Sequence, residues 1–301
     1  MRSCLLVLAM TAAASADPAP IIGGTASKVG DFPSVVGIEV GSGLCSGTLV
    51  APDWVMTAAH CLDPATVGVP DQATLTGSVR VHFGTIDLRA SQGTTATASA
   101  TIGDPDFNID HLGSHDLGLI KLSAPVTNVT PTPVNFQGGD APVGVSVTMV
   151  GFGTTDASQP SMAGTEFVLT GRTSGSCDSV VPKITGLTPP DDGNVLCFSQ
   201  TDDKGKCEGD SGGPSFAMID GVATLVGTTS FGDQNCAIFG VDTRTDVEHD
   251  FVVGQVPEIC TLGTNCSVSS GCCQAGQNAP GSVLLLGVIT FALRRRKRAN
   301  R

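Results

Sequence analysis

Gly209-Asp210-Ser211-Gly212-Gly213-Pro214 sets a hydroxyl, a carboxylate and three glycines within six residues. A serine hydroxyl attacks poorly until a neighbouring base takes its proton, and imidazole has the pKa for that task near neutrality. The candidate base lies far upstream in Thr57-Ala58-Ala59-His60-Cys61. Between the two, His115-Asp116-Leu117-Gly118-Leu119-Ile120 offers a candidate acid followed by apolar strand residues. Once buried, such an acid holds the imidazole in the right tautomer and stabilises its charged form. Asp110 and His111 are close in sequence but lack that apolar continuation, and His82, His115 and His249 fall in no motif and read as ordinary packing or surface residues. A glycine at 209 lets the backbone turn so that the amides of Gly209 and Ser211 face one point, where they would stabilise a developing oxyanion.

These segments, in the order His, Asp, Ser, together with Ile21-Ile22-Gly23-Gly24, resemble the chymotrypsin-like serine proteases over roughly residues 21 to 257. The resemblance implies an endopeptidase that hydrolyses peptide bonds through an acyl-enzyme, with His60, Asp116 and Ser211 as its triad and the Gly209 and Ser211 amides as its oxyanion hole. Ser230 matches the serine that donates to the triad acid in that family. No cofactor is implied, and no metal: Thr85 stands where calcium-binding members carry a glutamate. By the same resemblance Cys45 pairs with Cys61, Cys177 with Cys197 and Cys207 with Cys236, each closed loop contributing about 3 kcal/mol. A catalytically silent relative serving as a surface adhesin or binding module is the rival reading, as is an anchored structural protein whose protease domain never matures. Silent relatives usually lack a triad member, and all three are present here.

Activation in that family frees the amine of the first Ile to pair with the aspartate beside the nucleophile, here Ile21 and Asp210, and the uncut precursor lacks a formed oxyanion hole. No basic residue precedes Ile21; the chain there is Asp17-Pro18-Ala19-Pro20, two X-Pro dipeptides suited to trimming by a dipeptidyl peptidase. The resemblance puts Gly205 at the floor of the primary pocket, where trypsin-like members carry an aspartate, with Lys206, Ser230, Phe231, Gly232, Gly240 and Asp242 around it. If Lys206 and Asp242 pair, the pocket is neutral and open. An unpaired Asp242 would favour basic side chains and an unpaired Lys206 acidic ones. Pairing is the expectation carried forward, because leaving either charge buried alone costs several kcal/mol.

From Ile21 to about Val253 the chain is rich in Gly, Thr, Val and Pro, with short alternating runs such as Ser78 to Phe83 and Val145 to Val150. That pattern is all-β. The resemblance selects two packed antiparallel six-stranded β-barrels with a C-terminal helix, the site lying between them and residues 127–133 crossing from one to the other. Thr245-Asp246-Val247-Glu248 fits a capping box, which would put Val247, Phe251 and Val252 on one helix face.

The 301 residues carry a formal charge of −12, but Arg2 and the six bases from Arg294 to Arg301 leave only nine bases to face 28 acids in the body. So acidic a body argues against a nucleic-acid partner, whose phosphates demand a basic footprint. Residues 1–16 have a charged start, an apolar run from Leu5 to Ala14 and an Ala14-Ser15-Ala16 cleavage site, the anatomy of a secretory signal peptide, which makes residues 17–20 a short propeptide. Its removal takes Cys4 and leaves ten cysteines, an even number that in an exported protein reads as a disulfide framework. Residues 258–281 read as a linker carrying Cys260, Cys266, Cys272 and Cys273, whose pairing the sequence does not fix. Residues 282–301 join an apolar stretch, Val283 to Leu293, to the Arg-rich end. The stretch is short against the roughly 20 apolar residues of a durable span. This tail resembles the C-terminal sorting tags of the myxobacterial type, which implies a transient inner-membrane stage, a sorting protease acting near Cys272 and Cys273, and a protein on the cell surface or in the medium.

Overall fold

The computed structural model describes residues 21–90, 92–111, 114–137, 146–154, 167–172, 177–181, 193–202, 204–264 and 266. The expected signal peptide and propeptide, Cys272, Cys273 and the apolar and basic tail lie outside the described residues. Among those described, no helix is long and apolar enough to cross a membrane.

After the two-residue β1 (Thr25–Ala26), the first half of the chain forms β2 (Val35–Val40), β3 (Gly43–Ala51), β4 (Trp54–Thr57), β5 (Arg80–Phe83), β6 (Thr94–Gly103) and β7 (Gly118–Leu122). They close a six-stranded antiparallel barrel in the order β2-β3-β4-β7-β6-β5. Alternation drives the closure: in β5, Val81 and Phe83 are buried while Arg80 and His82 are half-buried. Val81 and Phe83 join Val36, Ile38, Val55 and Ile120 in the barrel core. Ser78 does not belong to this strand. Its hydroxyl donates to Leu75 O and accepts from Gly41 N, closing the short helix Gln72–Ser78 instead.

The second half supplies β8 (Ser146–Gly151), β9 (Phe167–Arg172), β10 (Val195–Ser199), β11 (Pro214–Ile219), β12 (Val222–Gly232) and β13 (Phe239–Arg244). With β1 these make a seven-stranded antiparallel sheet, β1-β9-β8-β11-β12-β13-β10. It curls as a half-barrel, with β1 and β10 as its edges, rather than closing as a second six-stranded barrel. Residues 127–133 lead from one half to the other. Thr132 N donates to Leu49 O on β3, and Leu225 N on β12 donates to Pro133 O. The two halves share a core in which Val50, Leu117 and Leu119 meet Phe136, Phe152, Phe216 and Leu225.

The C-terminal helix spans His249–Gln255, three residues later than the capping box would start it. Thr245 cannot cap, because its hydroxyl is spent on Asn135 O and Leu225 O, and Asp246 is bound to Arg244. Phe251 and Val252 still pack on the shared core, while Val247 precedes the helix. The chain also stays packed beyond Pro257. Ile259 is fully buried, Thr264 receives a hydrogen bond from Val134 N, and Cys260 is bonded to Cys266, so the stretch expected to open the linker remains part of the body as far as Thr264.

Candidate active site

Connections of the two halves converge at one place. His60 opens a 3-10 turn just after β4, Asp116 lies two residues before β7, Ser211 sits in the turn before β11, and Ser230 lies on β12. Asp116 has no solvent exposure, and three donors surround it. His60 Nδ1 lies 2.7 Å from Oδ2, the His60 amide donates to Oδ1 at 2.8 Å, and Ser230 Oγ donates to Oδ2 at 2.5 Å. Ser230 reaches that position because β12 bulges there. Thr229 pairs with Asp242 and Phe231 with Val241, leaving Ser230 unpaired and turned toward the acid.

Burial acts to raise the Asp116 pKa, but the charge and hydrogen bond of His60, with the Ser230 bond, outweigh it and hold the carboxyl below its ordinary value. For His60 burial lowers the pKa and Asp116 raises it more, so the imidazole sits above its ordinary value. The nucleophile turn is tied to the barrel through Ser46 of β3. The Ser46 amide donates to Ser211 O at 2.8 Å, its hydroxyl donates to Gly209 O at 2.9 Å, and that hydroxyl accepts from Phe152 N. Gly209 has φ 91°, and a Cβ there would come within 2.9 Å of Gly153 Cα, so glycine is required on both counts. The amides of Asp210, Gly212 and Gly213 donate to Cys207 O, Thr229 O and Asp210 O, whereas those of Gly209 and Ser211 have no acceptor among the described residues.

Asp210 points away from this opening. Its carboxylate accepts from Gly153 N at 2.9 Å and Cys207 N at 2.8 Å, and burial raises its pKa to about 7 against the pull of those bonds and of Lys206. Ile21 is 1% exposed and packs with Leu196, Phe198 and Val226. The next residue, Ile22, accepts a hydrogen bond from Gly205 N.

A cavity of about 220 Å³ opens beside Ser211, walled by Cys207, Thr229, Ser230, Phe231, Gly232 and Cys236, with Lys206 also in its lining. Gly205, Gly240, Asp242 and Gln200 do not line it. Lys206 is buried and turned beneath the cavity, its Nζ bound to Asp242 Oδ1 and, at 3.0 Å, to Ser215 Oγ, which donates to the other Asp242 oxygen. Burial pulls the Lys206 ammonium below its ordinary value, and Asp242 opposes that shift. Disulfides join Cys45 to Cys61 behind His60, Cys177 to Cys197, and Cys207 to Cys236 along the cavity wall.

Sequence reasoning missed two groups. Gln200, just after β10, is 2% exposed and hydrogen-bonded to the Lys206 main chain. Glu248 is buried beside Asp104, with His115 Nδ1 at 3.2 Å, and burial first, then the hydrogen bond and charge of Asp104, push its carboxyl up to about 9. A polar residue at the end of a hydrophobic strand and an acid before a helix were the only sequence signals for them, and neither is specific.

A sequence model described as Trypsin matches residues 21–252. The chain belongs to the trypsin family of serine proteases. It is 29% identical over 221 residues to brachyurin of Leptuca pugilator, covering 70% of this chain and 86% of that protein. With trypsin of Sus scrofa it shares 30% identity over 203 residues, covering 66% and 80%. It also matches the hepatocyte growth factor activator serine protease of Mus musculus at 30% over 227 residues, 71% of this chain but only 33% of that relative's length.

Two stability predictions follow from the buried charges. Lys206→Met leaves Asp242 buried without its cation and is expected to cost about 3–5 kcal/mol. The double variant Lys206→Met/Asp242→Leu should recover most of that loss in urea denaturation; equal losses in both proteins would count against a coupled pair. Glu248 has a folded pKa above its unfolded one, so it binds its proton more tightly when folded and its contribution to stability falls as pH rises from about 4.5 toward 9. Glu248→Gln carries no such penalty. It should raise Tm at pH 8 and change it little at pH 4, and the same shift at both values would show that ionisation is not the cause.

Proposed function

We propose that this protein is an exported serine endopeptidase that cuts peptide bonds through an acyl-enzyme. The observation that carries the reading is the buried Asp116 carboxylate, whose Oδ2 meets both the His60 ring and Ser230 beside the Ser211 turn. His60 takes the Ser211 proton as Oγ attacks the scissile carbonyl, and Asp116 stabilises the imidazolium that results. The free amides of Gly209 and Ser211 receive the oxyanion. His60 then protonates the leaving amine, and a water deprotonated by the same imidazole releases the acyl group.

Family membership implies protein substrates, and four disulfides together with that membership point to an extracellular protein. Asp210 supports the expected activation step: it is a fully buried acid with a pKa raised to about 7, which a cation would lower. The amine released at Ile21 supplies that charge, and a dipeptidyl peptidase removing Asp17-Pro18 and Ala19-Pro20 would release it. Export by residues 1–16 and sorting by the tail complete the reading, with the membrane a transient partner.

A fluorophosphonate probe should label the mature protein, while Ser211→Ala abolishes labelling and His60→Ala lowers amidase activity by a factor of about 10⁴ or more. Turnover by Ser211→Ala matching that of the wild type would sink the mechanism. N-terminal sequencing of the active form should read Ile-Ile-Gly-Gly, and Asp210→Asn should disable protein trimmed to that start. Full activity from a chain beginning at Asp17 would refute the ion pair.

A further inference from the structure

We propose that Gln200, buried behind the Lys206 segment that lines the cavity, fills the space at the base of the primary pocket and makes the pocket selective for uncharged side chains, an inference that rests on the endopeptidase reading above. The Gln200 side chain runs across the places that residues 205 and 240 would fill. A Cβ added to Gly205 would lie 2.0 Å from Gln200 Cδ, and one added to Gly240 would lie 2.4 Å from Gln200 Oε1. The two glycines therefore mark space already occupied by this side chain.

Its amide is bonded at both ends to the Lys206 main chain. Lys206 N donates to Gln200 Oε1 at 2.9 Å, and Gln200 Nε2 donates to Lys206 O at 3.2 Å. The side chain is 2% exposed and carries no charge. The charges nearby are also committed. Lys206 is held by Asp242 and Ser215 below the cavity. Asp233, on the cavity wall, accepts from the amides of Asn235, Ala237, Ile238 and Phe239. Of the acids lining the cavity only Glu208 is exposed, and Cys207 separates it in the chain from the buried Lys206. A cavity of about 220 Å³ with a disulfide on one wall and no uncommitted charge at its base accepts apolar or small polar side chains on the acyl side of the cut.

The same geometry says that an acid cannot be installed at 205 while Gln200 is in place. The experiment profiles a peptide library varied at the acyl-side residue, using protein that begins at Ile21. Every rate is normalised to active sites titrated with the fluorophosphonate, so that misfolded or untrimmed protein is not counted. Wild type should prefer uncharged residues. Gly205→Asp alone should gain no cleavage after Arg or Lys, whereas Gln200→Ala/Gly205→Asp should raise kcat/KM for Arg relative to Leu at least tenfold over wild type. Gln200→Met keeps the bulk and loses the amide, so Gln200→Met/Gly205→Asp should behave like Gly205→Asp alone, and it serves where the alanine variant does not fold. Basic cleavage by Gly205→Asp equal to that of the double variant, or wild type cutting strictly after Arg or Lys, would overturn the role of Gln200 while leaving the endopeptidase intact. Wild type with no titratable site would overturn both.

Discussion

A carboxylate with no solvent contact is tolerable only where its charge is met by close donors, and at Asp116 those donors come from both halves of the molecule. His60 supplies its ring and its amide from the barrel, and Ser230 supplies a hydroxyl from the half-barrel. Docking the halves and satisfying the charge are therefore the same event. Ser46 works in the opposite direction, reaching from the barrel to the carbonyls of Gly209 and Ser211. His60, Asp116 and Ser211 keep their mutual positions because each half holds a piece belonging to the other. The shared apolar core around Phe136, Phe152 and Leu225 supplies the adhesion, and these few polar bonds set the register.

Behind that surface the other buried charges are met by internal partners. Lys206, Asp242 and Ser215 satisfy one another in a buried group beneath the cavity, and Asp210 is turned toward the amides of Gly153 and Cys207. The start of the domain touches this same layer, since Ile22 is tied to Gly205 while Ile21 is buried. Under the proposed activation, one N-terminal segment thus acts on the acid next to the nucleophile and on the strand end beneath the pocket. The two places are joined directly, since only four residues of main chain separate Gly205 from Asp210.

The residues most legible from sequence were those whose role is local. Asp116 is followed by Leu117, Leu119 and Ile120, and their burial carries the acid inside with them. Gly209 is needed by its own φ and by contact with Gly153. The all-β pattern and the crossing at residues 127–133 were legible for the same reason, since alternation and turn residues are properties of short stretches. What escaped depended on partners distant in the chain. Thr245 and Glu248 look like a capping box until Asn135 and Leu225 claim the Thr245 hydroxyl. Glu248 meets Asp104 and His115 across more than a hundred residues, and nothing in its own neighbourhood announces an acid that is buried with its pKa pushed up to about 9.

Gln200 is the sharpest case of a residue whose meaning is set by what is missing elsewhere. Read from the sequence alone, glycines at 205, 232 and 240 describe an emptied pocket in which Lys206 and Asp242 are expected to pair. The structure separates the glycines. Gly232 lines the cavity, whereas Gly205 and Gly240 flank a side chain that enters from five residues before Gly205. Filling the base with an amide bonded to the Lys206 backbone fixes the segment leading to Cys207 and Ser211, a task that a charge aimed at substrate could not share without losing its pairing. Under the proposed role of Gln200, the absence of an acid at 205 is a packing requirement, and specificity would follow from the neutrality of what took its place.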